Sequence, residues 1–220
     1  MTESSFRRYR PPTGIQVEFQ PGSRGRVLLN KLGIVRKREM DGMEYAALLR
    51  AQQRYIAIVG PDTRFTAALL RRLHKDWLGE IYAWAGQYRT VNLAKGGFTW
   101  PPALRVPGNM EAFENGLLRE HTPCPPGSLQ DVAGRLAVVH AEFLLIHPFR
   151  EGNGRLARWL ADLMASQAGF SPPHYLFTGP GSVKRHALYI QAVQQGYMQD
   201  YDALTRLFAD ALARGLEEES

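Results

Sequence analysis

Two helical runs meet at a glycine-rich bend, Gly152-Asn153-Gly154, that belongs to neither. Upstream, Leu129, Val132, Leu136, Val139, Phe143 and Ile146 recur every three or four residues, which predicts a helix with one buried face. Ser128 with Asp131 three residues on is a helix-start signature, and Pro148 forbids continuation past His147. Downstream, Leu156, Trp159, Leu160, Leu163 and Met164 repeat at the same spacing, from about Gly154 to a stop at Gly169. A long helix therefore ends at an imidazole, and the bend after it feeds directly into the start of another helix.

That arrangement has a chemistry. Free backbone N–H groups at a helix start, with glycines allowing close approach, form an anion cradle. Arg155 and Arg158 lie three apart, so both are expected on one side of the first turn, where two guanidinium groups suit a polyphosphate. Glu151 puts a carboxylate beside the cradle, a place for a hard divalent cation between protein and phosphate oxygens. His147 supplies a base that titrates near neutral pH. The expected ligand is a metal-bound nucleotide polyphosphate with a base poised over it. Gly152-x-Gly154-x-x-Ala157 also fits a dinucleotide fingerprint, but that motif needs a preceding strand and a helix precedes it here. The bland alternative is a helix–loop–helix turn with solvated charges.

The rest of the chain reads as mainly α with one small hairpin. Ala46, Leu48, Leu49, Ile56 and Ile58 predict a helix from about Met40 to Gly60-Pro61. Asp62 or Thr63 is the expected cap of a second, running through Leu69, Leu70, Leu73, Trp77, Leu78, Ile81 and Tyr82 to about Trp84. Tyr88–Leu93 and Phe98–Trp100 are β-prone around the turn Ala94–Gly97, a hairpin that must lie against something to be stable. Further helices are expected over about 107–120, 183–195 and 201–215. Trp77, Trp84 and Trp159 sit at core positions, whereas Trp100 in the hairpin is placed to grip a ligand or target. His140 reads as a packed histidine, and Cys124 has no partnered base nearby in sequence.

Charge is concentrated at one end. The first 38 residues hold nine Lys and Arg against Glu3 and Glu18, a balance of +7, so the remainder sums to −1 in a chain of net charge +6. This basic arm, with Arg7, Arg8, Arg10, Arg24, Arg26, Lys31, Arg36, Lys37 and Arg38, is either a polyanion-binding surface or a solvated tail. One cysteine excludes an internal disulfide framework, no apolar run is long enough to cross a bilayer, and no secretory leader is visible. A soluble protein kept in a reducing compartment is expected, with no membrane partner.

The stretch from His147 to Arg158 resembles the signature of the Fic family, His-x-Phe-x-(Asp/Glu)-Gly-Asn-Gly-Arg-x-x-Arg, with every fixed position filled by His147, Phe149, Glu151, Gly152, Asn153, Gly154, Arg155 and Arg158. Gly86–Phe98 is similar to the hairpin flap of that family, and Pro21–Ile34 to the lead-in of bacterial members. The resemblance implies a Fic-type helical bundle over 39–216, with 1–38 as basic arm and lead-in. It implies a protein adenylyltransferase (AMPylator) that moves AMP from Mg²⁺-ATP to a Tyr, Thr or Ser hydroxyl of a target protein. His147 would be the general base and Phe149 the residue that holds the loop in the core. Glu151 would bind Mg²⁺; Gly152, Asn153 and Gly154 would form the anion hole; Arg155 would hold the β-phosphate region and Arg158 the γ-phosphate. The flap residues Asn92, Leu93, Ala94, Lys95, Gly96, Gly97 and Phe98 would clamp the target by strand addition.

In the Doc branch, which transfers the γ-phosphate, lysine typically replaces the second glycine; Gly154 favours AMP transfer, while UMP and phosphocholine transfer stay open. Fic proteins often carry an inhibitory (Ser/Thr)-x-x-x-Glu-(Gly/Asn) helix. No Ser or Thr of this chain has Glu four residues later, so a separate small antitoxin is expected to carry it, in a toxin–antitoxin module. The alternative is a non-catalytic, basic-armed module for nucleic acid or protein.

Overall fold

The computed structural model describes residues 14–217. The arm expected from Arg7, Arg8 and Arg10 lies outside them. Helix α5 (Leu129–Ile146) is the central element, flanked by α6 (Asn153–Gln167), α7 (Ser182–Gly196) and α8 (Asp202–Glu217) and by α3 (Val106–Phe113). Helix α3 continues through a π turn, Glu114–Leu118, into the short α4 (Arg119–His121). Helices α1 (Lys37–Ile56) and α2 (Ala67–Leu78) pair with each other on the flank. The fold is mainly α, as the apolar spacing requires. α5 is buried along much of its length, with Val132, Leu136, Val139, Phe143 and Ile146 all in the core.

Local chemistry fixes the ends. Ser128 Oγ accepts the Asp131 N–H at 3.2 Å while Asp131 Oδ2 accepts the Ser128 N–H, the reciprocal cap expected of α5. For α2 the expectation was misplaced: Thr66, not Asp62 or Thr63, is the cap, with its Oγ1 accepting the Leu69 N–H at 3.1 Å. Glu114 reaches over from the π turn and accepts the Ala67 N–H at 2.8 Å. α2 stops at Leu78, so Ile81, Tyr82 and Trp84 enter the core from turns rather than from a helix.

Two other expectations change. α1 begins at Lys37 and ends at Ile56, short of Gly60-Pro61. Its buried face is Met40, Glu44, Ala47, Leu48, Ala51 and Tyr55, leaving Leu49, Ile56 and Ile58 exposed. The carboxylate at Glu44 is tolerated inside because its charge is met there, so a pattern read from apolar residues alone is turned around the helix axis. The hairpin is only β1 (Ala94–Lys95) against β2 (Phe98–Thr99), in antiparallel register Ala94–Thr99 and Lys95–Phe98. The β-prone Tyr88–Leu93 pairs elsewhere: Arg89 N–H donates to Pro148 O at 2.8 Å and Thr90 N–H to Gln16 Oε1 at 2.8 Å.

The lead-in segment before α1 is irregular, with one isolated bridge, Phe19–Leu28, but it is anchored. Val27 and Leu28 are buried, and the Asn30 side chain spans the turn, donating to Leu28 O and Ile34 O and accepting from Ile34 N–H. At the crossing of α7 over α5, a Cβ on Gly196 would stand 2.7 Å from Ala141 Cβ. Gly196→Ala is expected to push the helices apart and lower stability by about 1–3 kcal/mol, read as a lower urea midpoint at unchanged slope.

Candidate active site

α5 and α6 present opposite ends to one cavity of about 580 Å³. Its floor is Leu144, His147 and the bend Arg150–Gly154 with Arg158; the hairpin closes one side through Leu93–Gly96, Phe98 and Trp100; α7 closes the other through His186, Tyr189 and Tyr197. His147 is the C-cap of α5 in a left-handed conformation, φ 50°. Its Nδ1 lies 3.1 Å from Leu144 O, which can only accept, so the neutral ring carries its proton on Nδ1 and leaves Nε2 bare. The Trp100 ring covers the imidazole at 4.0 Å, and Trp100 Nε1–H donates to the same Leu144 carbonyl at 3.0 Å. Burial is the main influence that pushes the His147 pKa down to about 4, so the ring is neutral, and able to accept a proton, at pH 7.

The bend is fastened from inside. Phe149 is fully buried and stacks flat on His74, centroids 3.9 Å apart. Asn153, 2% exposed, accepts the Phe149 N–H at 2.9 Å and donates to Phe149 O at 2.8 Å, closing the bend into a ring. His74 accepts the Gly86 N–H on Nδ1, so its Nε2 carries the proton and donates to Glu151 O at 3.1 Å. Gly152 has φ 86°, and a Cβ there would meet the Trp77 ring at 2.9 Å, so only glycine fits. The result is an uncovered helix start: among the described residues, the N–H groups of Asn153, Gly154 and Arg155 make no hydrogen bond.

The charged residues divide. Arg158 lines the cavity with its guanidinium over the Phe177 and Tyr189 rings, at 5.5 and 6.0 Å. Arg155 does not line it: it lies over Trp77 and pairs with buried Glu44 at 2.6 Å. The two arginines expected side by side at the cradle thus rest on different neighbours, because Glu44, held by Tyr82 OH at 2.6 Å, captures the first. Glu151 is half exposed at the rim; its Oε1 accepts the Gly152 N–H at 2.9 Å and lies 3.4 Å from Arg155 Nη2. No group of three His, Cys, Asp or Glu able to hold a metal occurs among the described residues. A single rim carboxylate fits Mg²⁺, which is commonly held by one or two carboxylates with substrate phosphates. Of the hairpin residues, Leu93, Ala94, Lys95, Gly96 and Phe98 face the cavity; Asn92 braces the hairpin base by accepting the Ala103 N–H at 2.9 Å, and Gly97 is at the exposed tip.

Glu44, His74, Arg89 and Gln16 also shape the site, and the sequence reading passed over them. Glu44 and His74 fall on the buried faces of α1 and α2, so periodicity had a signal for both. Gln16 accepts from Arg150 Nε at 2.6 Å through its carbonyl, across 134 positions, with no local signal. His140 is buried and bonded to Tyr189 OH at 2.8 Å, the packed histidine expected; Cys124 is buried.

An imidazole and an uncovered helix start thus line one hairpin-edged cleft built on a helix–bend–helix. The profile of the Fic/DOC family matches residues 64–165. The probable protein adenylyltransferase y4lH of Sinorhizobium fredii is 31% identical over 66% of this chain and 73% of its own length. The probable protein adenylyltransferase Fic of Escherichia coli is 28% identical over 88% of this chain and 91% of its own. The crystal structure of BepC from Bartonella tribocorum, with bound AMPPNP, superposes with a TM-score of 0.68 at 22% identity over 84% of this chain and 91% of that one. The chain belongs to the Fic/DOC family.

Two predictions follow from the buried polar groups. Asn153→Ala leaves the Phe149 N–H and C=O unpaired in the core and is expected to cost roughly 3 kcal/mol, measured by urea unfolding. His74, His140 and His147 are held near pKa 4, 3 and 4, mainly by burial, so the native state refuses protons that the unfolded chain takes up near 6.5. Stability is therefore full above pH 6.5 and lost as pH falls toward 4, by about 2 kcal/mol per imidazole at pH 5. A thermal midpoint equal at pH 7.5 and pH 5 would contradict this.

Proposed function

We propose that this chain is a protein adenylyltransferase that transfers AMP from ATP to a Tyr, Thr or Ser hydroxyl of a target protein. The observation that carries the reading is the orientation of His147, whose protonated Nδ1 is engaged on Leu144 while a bare Nε2 borders the cavity that holds the amide cradle. The cradle would take up phosphate oxygens through the N–H groups that open α6. A hydroxyl clamped along the hairpin would attack the α-phosphorus: the O–Pα bond forms, the Pα–O bond to the β-phosphate breaks, and pyrophosphate leaves. The hydroxyl proton passes to His147 Nε2. Arg158 would hold the γ-phosphate end, with the Tyr189 and Phe177 rings beneath its guanidinium. Arg155, already tied to Glu44, would contribute to the β-phosphate region mainly as fixed positive charge. Glu151 would hold Mg²⁺, which neutralises charge on the triphosphate when bound. Two relatives are named probable protein adenylyltransferases, and the BepC structure contains an ATP analogue, in keeping with ATP as substrate. Gly154 supports AMP rather than γ-phosphate transfer.

We further propose that a separate small protein with a Ser/Thr-x-x-x-Glu segment restrains the enzyme, as an antitoxin restrains a toxin. On α1, Tyr45, Leu49 and Ile56 form an exposed stripe at helical spacing. Leu48 and Gln52 of the same helix line a second cavity of about 180 Å³ that reaches Arg155 and Arg158. Such a stripe is suited to a partner helix. No helix among the described residues is long and apolar enough to cross a membrane, and the proposed setting is the bacterial cytoplasm. A second reading, polyanion binding, is favoured by a recess of about 420 Å³ lined by Arg24, Arg26, Arg36, Lys37 and Arg38.

Incubation of the protein with cell lysate and ATP labelled at the α-phosphorus is expected to label proteins, and ATP labelled at the γ-phosphorus is not. His147→Ala should lower labelling at least about 100-fold with its circular dichroism unchanged. Label arriving only from the γ-position would replace AMP transfer with phosphoryl transfer. Salt-sensitive DNA binding that survives His147→Ala, without labelling, would favour the second reading.

A further inference from the structure

Arg89 is the least expected charge in the molecule. It is 2% exposed, and no carboxylate pairs with it among the described residues. Each hydrogen bond it donates goes to a backbone carbonyl. Nε donates to His147 O at 2.7 Å, and Nη2 lies 3.4 Å from Ile146 O. Nη1 donates to Val91 O at 2.9 Å and Nη2 to Pro101 O at 2.6 Å. Its own backbone N–H donates to Pro148 O at 2.8 Å. Burying an uncompensated cation is costly, and burial is the influence that lowers this guanidinium's pKa. What stabilises the charge is the negative end of α5, whose last carbonyls it faces.

The partners fall into two sets with different roles. Ile146, His147 and Pro148 carry the imidazole and lead into the bend. Val91 and Pro101 flank the hairpin on its two sides, three residues before β1 and two after β2. One planar, forked group therefore joins both legs of the hairpin to the backbone of the residue proposed as base, a geometry that a lysine ammonium lacks. His147 needs such a hold. A left-handed φ at a residue with a Cβ is strained and persists only where its surroundings impose it. The bonds that impose it are His147 N–H to Phe143 O, Nδ1–H to Leu144 O, and Arg89 to His147 O. The second tie between hairpin and base runs through the Leu144 carbonyl, which Trp100 Nε1 shares with the His147 ring.

We propose that Arg89 is a positioning residue that couples the hairpin to His147, so that a target segment seated on the hairpin sets the base in line for attack. For its rate effects this rests on the AMP-transfer reading. Arg89 makes no contact with the N–H groups of Asn153, Gly154 and Arg155. Its loss should therefore disturb base and target while leaving nucleotide binding alone.

The test uses the full chain with Arg89→Lys and Arg89→Met. AMP transfer should fall about 10–100-fold in kcat, with KM for the target raised and the affinity for a non-hydrolysable ATP analogue, measured by calorimetry, within threefold of wild type. Arg89→Lys should not restore the rate, since charge without the fork is insufficient. An activity-independent arm follows the tautomer of the His147 ring by ¹⁵N NMR at pH 7.5, where the ring is neutral and the fold intact. Wild-type protein should show the single Nδ1–H form held by Leu144 O. In Arg89→Lys the signal should move toward a mixture with the Nε2–H form as the ring loosens into solvent. If both variants fail to fold, the same signal in the wild-type protein should change when a synthetic peptide spanning the acceptor site mapped in the labelled lysate is added at saturation, and an unchanged signal there overturns the coupling. In folded variants it is overturned by an unchanged rate and tautomer signal, or by loss of analogue affinity parallel to the loss of rate. Wild-type protein that transfers no AMP removes the parent reading alone, and the NMR arm still decides the coupling.

Discussion

The site depends on the closed ring between Phe149 and Asn153. Two hydrogen bonds across four residues allow the chain to leave α5, reverse through the bend and begin α6 without spending the N–H groups that open it. A helix start in water is normally covered by a side chain or solvent. Here the Asn153 side chain is turned inward to hold the bend, and Gly152, at the cap position and pressed against Trp77, has no side chain to offer. The His74–Phe149 stack then fixes the ring against α2. The amide cradle is thus a consequence of how the bend is buried.

What the sequence made legible was local. The Ser128–Asp131 cap, the stop at Pro148 and the glycines of the bend act within a few residues, and each is found where the pattern placed it. The residues that were not legible act across distance. Glu44 meets Arg155 across 111 positions on the chain, His74 meets Glu151 across 77, and Arg89 meets His147 across 58. Polar residues on buried faces are discounted by any rule that counts apolar spacing, although their spacing is the same. That is also why α1 was rotated in the reading: Glu44 sits in the line of Met40, Ala47, Leu48 and Ala51, and only its distant partners explain its being inside. The Tyr88–Leu93 segment failed as a strand for a related reason. β propensity reports a fit to a half-buried extended surface, and this segment satisfies it with Gln16 and Pro148 as partners in place of a neighbouring strand.

Burial gives the histidines of this fold distinct duties from one common cause. His74 and His140 are enclosed and neutral; the His74 ring is bonded at both nitrogens and acts as a two-ended connector, while His140 is bonded through Nε2 to Tyr189. His147 is held by one nitrogen only. The same desolvation keeps it neutral, so a proton taken up there, as the proposed reaction requires, would be released readily. Stability and chemistry therefore draw on the same exclusion of water.

The unequal treatment of the two motif arginines bears on how such a site is restrained. Arg155 already has a buried carboxylate at 2.6 Å, and a second at 3.4 Å. Another acid brought to it would meet Glu44 and Glu151 before any free charge. Arg158 forms no ion pair among the described residues; aromatic faces flank it, and Asp162, on the same helix, is pushed up to about 7, chiefly by burial. Burial thus holds Asp162 toward its neutral form, which weakens it as a counter-charge to the guanidinium. The electrostatic opening in this molecule is therefore at Arg158, on the cavity that also meets α1. The proposed antitoxin would need to put one glutamate there and cover the stripe on α1. A nucleotide would need to bring its terminal phosphate to the same guanidinium. The two would compete for one charge, so inhibition of this kind requires no change in the bend itself.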